Sequence, residues 1–202
     1  LLVRGVIIGF TAGLILIIAQ VPIFLGALQL SPASMEVESL AQKYLQIRVY
    51  SAPAAIALFG ITGWLIAKEK TRAVLLLQLV LNGINIALDL VFVLKLGWGV
   101  EGVAIATLIA EWSGLIFGLW LAREGFNNGY WKNWIQIFDR VRLIQMAKVN
   151  SDIMIRSILL EIGFVSFLFL GSSFDDATLA ANQVLIQFLH ITAYALDGFA
   201  FA

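Results

Sequence analysis

The sequence predicts an all-α fold, a polytopic bundle of membrane-spanning helices, from three observations. Of its 202 residues, 61% are hydrophobic and 13% are charged, whereas soluble domains average roughly 45–50% and about 25%. The mean hydropathy is +0.94. The apolar residues are gathered in six runs, each near the roughly 20 residues that cross a bilayer. A soluble chain of this composition would expose large apolar patches and aggregate, so we expect the lipid bilayer to be its solvent.

The six predicted spans occupy residues 5–29, 49–67, 73–95, 101–122, 153–171 and 178–200. The short connections 68–72 and 96–100 predict antiparallel hairpins. Residues 31–48 predict a turn followed by an amphipathic helix near 35–45. The long connection 123–150 contains Tyr130, Trp131 and Trp134, which are typical of a helix at the membrane interface. This connection separates a domain of four spans, 1–122, from a domain of two, 151–202.

The basic residues predict the orientation, because cytoplasmic loops retain Lys and Arg during insertion. One set of alternating loops carries nine of them: Arg4, Lys68, Lys70, Arg72, Arg123, Lys132, Arg140, Arg142 and Lys148. The other set carries three: Lys43, Arg48 and Lys95. We therefore expect an integral protein of a bacterial-type cytoplasmic membrane, with the start of the chain and the 123–150 connection in the cytoplasm.

Composition and motifs disfavour an enzyme. The chain has no cysteine and one histidine, which excludes a disulfide framework and a Cys-based or multi-His metal site. It has no phosphate-binding glycine loop with a lysine, no H-E-x-x-H and no G-x-S-x-G. Its 13 basic and 13 acidic residues cancel, so nothing overall indicates a nucleic-acid partner. We expect no enzymatic activity and no cofactor.

Small residues recur at helical spacing on two spans and predict close helix packing. The first span has Gly5, Gly9 and Gly13, and the fourth has Gly102, Ala106, Ala110, Gly114 and Gly118. Such stripes let helix backbones approach each other where lipid supplies no hydrophobic drive. Pro22 and Pro53 each predict a bend, or alternatively a terminal kink and a first-turn proline.

Ionisable and amide side chains at membrane depth are the candidate functional residues, because a charge there costs about 2.5–3.5 kcal/mol on insertion scales. Asn82, Asn85 and Asp89 share one face of the third span. Thr107 and Glu111 lie one turn apart on the neighbouring fourth span. Asn85, Asp89 and Thr107 could offer oxygens to one cation or hold a titrating carboxyl. Glu111 is a candidate second protonation site or partner of a cationic substrate, and an interhelical hydrogen-bond clamp is the alternative.

A longer polar stripe runs along the last span and predicts a water-filled cavity. Its members are Gln183, Gln187, His190, Tyr194 and Asp197, and we expect Glu161 with Ser157 on the fifth span to face the same space. A hydrogen-bonded helix contact is the alternative. Buried carboxylates, amides and a polar cavity together indicate an ion-coupled secondary transporter.

These residues resemble the multidrug and toxic compound extrusion family. Asn85-x-x-x-Asp89, the glycine-rich turn 96–102 and the segment 104–107 carry the resemblance. Segments 150–157, 179–185 and 193–200 are similar to its DNA-damage-inducible-protein-F-like branch. The resemblance covers nearly the whole chain.

The resemblance implies twelve helices in two six-helix lobes that export organic cations against a proton or sodium gradient. It implies that this chain is a fragment, the third to eighth helices, with 123–150 joining the lobes, and that the full-length protein is a monomer. It also implies that Asn85, Asp89 and Thr107 bind the coupling H⁺ or Na⁺ with an Asp of the first helix. A lipid-linked-precursor flippase and a non-transporting membrane scaffold are the alternative functions.

Overall fold

The computed structural model describes residues 2–29, 34–127, 138–172 and 176–200. Within these ranges the chain forms helices and no strand, which confirms the all-α class. The α-helices are α1 (Leu2–Ile18), α2 (Gln20–Gln29), α3 (Met35–Arg48), α4 (Ala52–Ala67), α5 (Thr71–Asp89), α6 (Gly99–Leu121), α7 (Arg140–Ser172) and α8 (Asp176–Ala200). Short 3₁₀ turns cover Val49–Ser51 and Arg123–Phe126, and Leu90–Lys95 forms a π-helix.

Three described stretches are long and apolar enough to cross a membrane: Met35–Ala67, Thr71–Lys95 and Gly99–Leu121. The pair α1 and α2 qualifies as a fourth if it is one span, bent by 64°. α7 and α8 are helical over the predicted spans 153–171 and 178–200. The contacts divide the chain into two compact units, Leu1–Leu28 with Leu40–Leu143, and Gln29–Ser39 with Ile144–Ala202.

Two element boundaries differ from the prediction. α3 continues through the 3₁₀ turn into α4, so Met35–Ala67 is one stretch of 33 residues. It includes most of the predicted polar connection, residues 31–48. α7 begins at Arg140, so residues 140–150 of the predicted connection are helical. Tyr130, Trp131 and Trp134 lie outside the described residues. A helix can extend past the end of an apolar run, because a polar residue inside a helix keeps its backbone hydrogen bonds. Hydropathy alone therefore misplaces such boundaries.

Pro22 accounts for the bend in the first predicted span. It lies in the first turn of α2, where it has no N–H to give to the carbonyl of Ile18 and its ring crowds that carbonyl. α1 accordingly ends at Ile18, and the hydrogen bonds resume from Ile23 N to Ala19 O at 3.2 Å. Pro53 instead occupies the first turn of α4, where a proline is tolerated.

The glycine stripe of α1 packs against the backbone of α4. A Cβ added to Gly13 would lie 2.3 Å from the nitrogen and Cα of Pro53, and one on Gly9 would lie 2.9 Å from the nitrogen of Ala57. Both distances are shorter than real Cβ contacts allow, so these two positions require glycine. The predicted role of this stripe is confirmed.

α4 lies between α1 and α6 and contributes much of the core of its unit. Ala54, Ala57, Ile61 and Leu65 are fully buried. All five small residues of the α6 stripe are buried, and a Cβ added to Gly118 would lie 3.4 Å from the Ile61 side chain. α5 packs against both α6 and α4.

Two tight turns produce the predicted hairpins. After α4, Lys70 N donates to Leu65 O at 2.9 Å and Glu69 N donates to Ile66 O at 2.8 Å, a Schellman motif with Glu69 at φ 57°. Before α6, Gly97 and Gly99 have φ values of 69° and 55°, a conformation that glycine adopts without strain. Lys70 then forms an ion pair with Glu124, which follows the end of α6.

We expect Gly13→Ala to destabilise the protein by about 1–3 kcal/mol, because the new methyl group overlaps the backbone of α4. Thermal unfolding of the detergent-purified protein measures the change. Gly63→Ala is the matched control, since a Cβ at Gly63 meets nothing within 4 Å. Equal melting temperatures for the two variants would contradict this helix contact.

The ion pair between Lys70 and Glu124 predicts a pH-dependent term in stability. The hydrogen bond and charge of Lys70 lower the pKa of Glu124 from its ordinary value of 4.5. A lowered folded-state pKa stabilises the protein above the ordinary value, and this stabilisation is lost as the pH falls through the folded-state pKa. The melting-temperature difference between the wild type and Glu124→Gln should therefore shrink below pH 4.5. In a Lys70→Met background the difference should be small at every pH, and a persistent difference there would refute this assignment.

Candidate cation-binding site

The hairpin of α5 and α6 brings Asn85 and Thr107 into contact. The Asn85 amide nitrogen Nδ2 donates to Thr107 Oγ1 at 3.2 Å. The Thr107 hydroxyl donates to the carbonyl oxygen of Val103 at 2.9 Å, one turn earlier in α6. Because both hydrogen bonds fix the threonine, its oxygen stays at the interface of the two helices.

Asp89 lies one turn beyond Asn85, where side chains of the same helix face are about 5–6 Å apart at Cβ. The residue is half-buried. Its Oδ1 atom is buried and has no hydrogen-bond partner among the described residues. An unsatisfied buried carboxylate oxygen is costly, and binding a proton or a metal cation removes that cost.

The π-helix starts directly after Asp89. Its wider turn is visible in the hydrogen bond from Leu96 N to Val91 O at 3.0 Å, which spans five residues. The rings of Phe92 and Trp98 stack at 5.1 Å between centroids and close this end of the hairpin. Such π-helical turns are rare and are frequent at functional sites. No feature of the hydropathy pattern indicates this turn.

Asn82 and Glu111 do not take part in the hydrogen bond between Asn85 and Thr107. Asn82 is exposed on α5. The Glu111 carboxylate Oε2 lies 2.9 Å from Arg48 Nη1, and the two side chains are 13% and 27% exposed. Arg48 Nη1 also donates to Ser51 Oγ at 2.5 Å. Sequence reasoning missed this partner, because it placed Arg48 in a polar connection outside the spans.

The candidates on α7 and α8 belong to the second unit. Glu161, Gln183 and Gln187 are exposed. The His190 ring meets Phe164 edge-on with centroids 5.3 Å apart. The side chains of Tyr194 and Asp197 lie outside the described part of the chain.

A groove of about 500 Å³ lies between α7 and α8. Its lining is apolar and consists of Leu159, Leu160, Gly163, Phe164, Phe167, Leu185, Ile186 and Leu189. The polar stripe of α8 is therefore not part of this groove where the structure describes it.

The donor set around Asp89 suits a monovalent cation or a proton. Within the described residues, no group of three or more His, Asp or Glu side chains is placed to hold a metal ion. A cation at Asp89 would have the carboxylate as charged ligand and neutral amide and hydroxyl oxygens as further ligands. This set favours a weakly held ion over a tightly chelated divalent metal.

Comparison with known proteins identifies relatives over the whole chain. The family model described as MatE matches residues 1–91, which include Asn85 and Asp89. The chain is 36% identical over 202 residues, its full length, to "DNA damage-inducible protein F" of Escherichia coli (strain K12), and it covers 44% of that protein. It is 32% identical over 124 residues to "Protein DETOXIFICATION 43" of Arabidopsis thaliana, covering 61% of this chain and 23% of that protein. No solved structure matches the chain significantly.

The chain spans less than half the length of these curated relatives. The helices described above agree with the membrane fold that the motifs imply. The family model over residues 1–91 and the 36% identity over the whole chain together support a fragment of the MatE family, the multidrug and toxic compound extrusion family that its motifs resemble.

Proposed function

We propose that the full-length protein is a secondary antiporter that exports organic cations across the cytoplasmic membrane in exchange for H⁺ or Na⁺. One observation carries the proposal: a carboxylate oxygen of Asp89 is buried without a hydrogen-bond partner among the described residues, beside the paired Asn85 and Thr107. A bundle that only needed a helix clamp would be served by the amide and the hydroxyl. The carboxylate adds a charge that a mobile cation neutralises.

The coupling step follows from the charge of Asp89. A charged carboxylate with a buried oxygen is incompletely solvated, and a bound Na⁺ or H⁺ cancels its charge. Asn85 and Thr107 provide neutral oxygens, and Thr107 Oγ1, which donates to Val103 and accepts from Asn85, keeps one lone pair for the cation. Alternating access requires that the inward-open and outward-open states differ in affinity for this cation.

The substrate path is part of the same proposal. In the second unit, the α8 stripe of Gln183, Gln187, His190, Tyr194 and Asp197, together with Glu161 on α7, would line a cavity for an organic cation, and Asn82 is a separate substrate candidate on α5 of the first unit. Acidic and amide side chains suit a positively charged substrate, and a polyspecific cavity recognises shape and aromatic surface more than fixed motifs. The distribution of basic residues supports a cytoplasmic location for the start of the chain and the 123–150 connection.

Asp89→Asn in the full-length protein should abolish ion-coupled export, because the amide keeps the shape of the side chain but has no negative charge for a cation to neutralise and no carboxylate to take up a proton. Dye efflux from proteoliposomes under an imposed gradient measures it, and we expect the rate of protein-free vesicles. Glu101→Gln is the control, since it removes an exposed carboxylate of α6, 51% accessible. Undiminished coupled efflux by Asp89→Asn would disprove the proposed function.

Thr107→Val should weaken the apparent affinity for the coupling cation, because it removes an oxygen while keeping the branched side chain. Thr107→Ser keeps the oxygen and should retain most of that affinity. Efflux driven by a pH gradient alone and by a sodium gradient alone identifies the ion, and its concentration dependence gives the affinity. Equal affinities for the valine and serine variants would exclude Thr107 as a ligand.

A further inference from the structure

Two ion pairs join α3 to α6, and their exposure differs sharply. Lys43 Nζ lies 3.4 Å from Glu101 Oε1, with side chains 55% and 51% exposed. Arg48 Nη1 lies 2.9 Å from Glu111 Oε2, with side chains 27% and 13% exposed. An exposed pair contributes little, whereas breaking a mostly buried pair leaves an uncompensated charge in a medium of low polarity.

The Arg48 side chain is held in place by further contacts. Its Nη1 atom donates to Ser51 Oγ, which in turn donates to the Arg48 carbonyl oxygen at 2.7 Å. Ser51 is 1% exposed. The Tyr44 hydroxyl lies against the same guanidinium. These contacts at the α3–α4 junction therefore hold the Arg48 guanidinium in the position that faces Glu111.

Arginine has a property here that lysine lacks. Its guanidinium stays protonated in proteins, so it cannot pass its proton to the carboxylate it faces. No well-aligned hydrogen bond ends on Glu111 Oε2 among the described residues, but this carboxylate faces a fixed cation at 2.9 Å. Asp89, on the neighbouring helix, has a buried oxygen with no such partner among the described residues.

We propose that Arg48 is a specificity-determining residue: it occupies Glu111 as a built-in counter-cation, so the mobile coupling cation binds at Asp89 and not at Glu111. The statement about the mobile cation rests on the proposed function. The pairing of Arg48 with Glu111 has a consequence of its own, because a Glu111 that loses this guanidinium must take up a proton from water to remain buried.

Infrared difference spectroscopy of the full-length protein tests the pairing, since a protonated carboxylic acid has a carbonyl band that a carboxylate lacks. Compared with the wild type at neutral pH, Arg48→Met should gain one such band. The double variant Arg48→Met/Glu111→Gln should lose that band again. Lys43→Met is the matched control on the exposed pair and should gain none.

Absence of the band in folded Arg48→Met, or its persistence in the double variant, would overturn the inference. If Arg48→Met does not fold, the wild type and Glu111→Gln still decide the matter. The infrared spectra of these two proteins should agree in the carboxylic-acid region. A carboxylic-acid band present only in the wild type would show that Glu111 is protonated and would refute its pairing with Arg48. This readout measures protonation without transport, so coupled efflux by Asp89→Asn would reject the proposed function separately.

Discussion

Close contact between helix backbones is the constraint on which the described core of this protein depends. In lipid, apolar side chains gain nothing by leaving the solvent for a helix interface, so helices associate through dispersion contacts and hydrogen bonds. Gly9 and Gly13 bring α1 onto the backbone of α4, at distances where no Cβ fits. The buried stripe of α6 lets that helix pack on α4 and α5. The packing of α5 against α6 also brings the Asn85 side chain within hydrogen-bond distance of Thr107.

The same constraint explains how charges are tolerated inside the bundle. Glu111 is mostly buried and faces Arg48 at 2.9 Å, so its charge has a fixed partner. Asp89 has a buried oxygen that is not satisfied by the described residues. Glu111 Oε2 likewise lacks a well-aligned hydrogen bond, but Glu111 faces a fixed cation, which suits it to a structural role and leaves Asp89 suited to reversible cation binding.

Much of the first unit could be predicted from residue patterns. The spacing of Gly5, Gly9 and Gly13 indicated a packed face, and the hairpin between α5 and α6 indicated that Asn85 and Thr107 share a depth. Other features had no local signal. The ion pair of Arg48 with Glu111 joins residues 63 positions apart (111 − 48), and the π-helix after Asp89 lies in an ordinary apolar run. Hydropathy reports how apolar a segment is, and it carries no information about hydrogen-bond register or about the partner of a charge.

The sequence by itself determined the class of this protein, the approximate position of most spans and the polar residues placed among apolar ones, because burial in lipid restricts composition along the chain. Tertiary structure alone decided which of those polar residues meet. Asn85 donates a hydrogen bond to Thr107, and Glu111 forms an ion pair with Arg48. Pro22 bends the first span because its ring crowds the carbonyl of Ile18. Each outcome depends on distances and directions between helices, and these exist only once the backbones have packed.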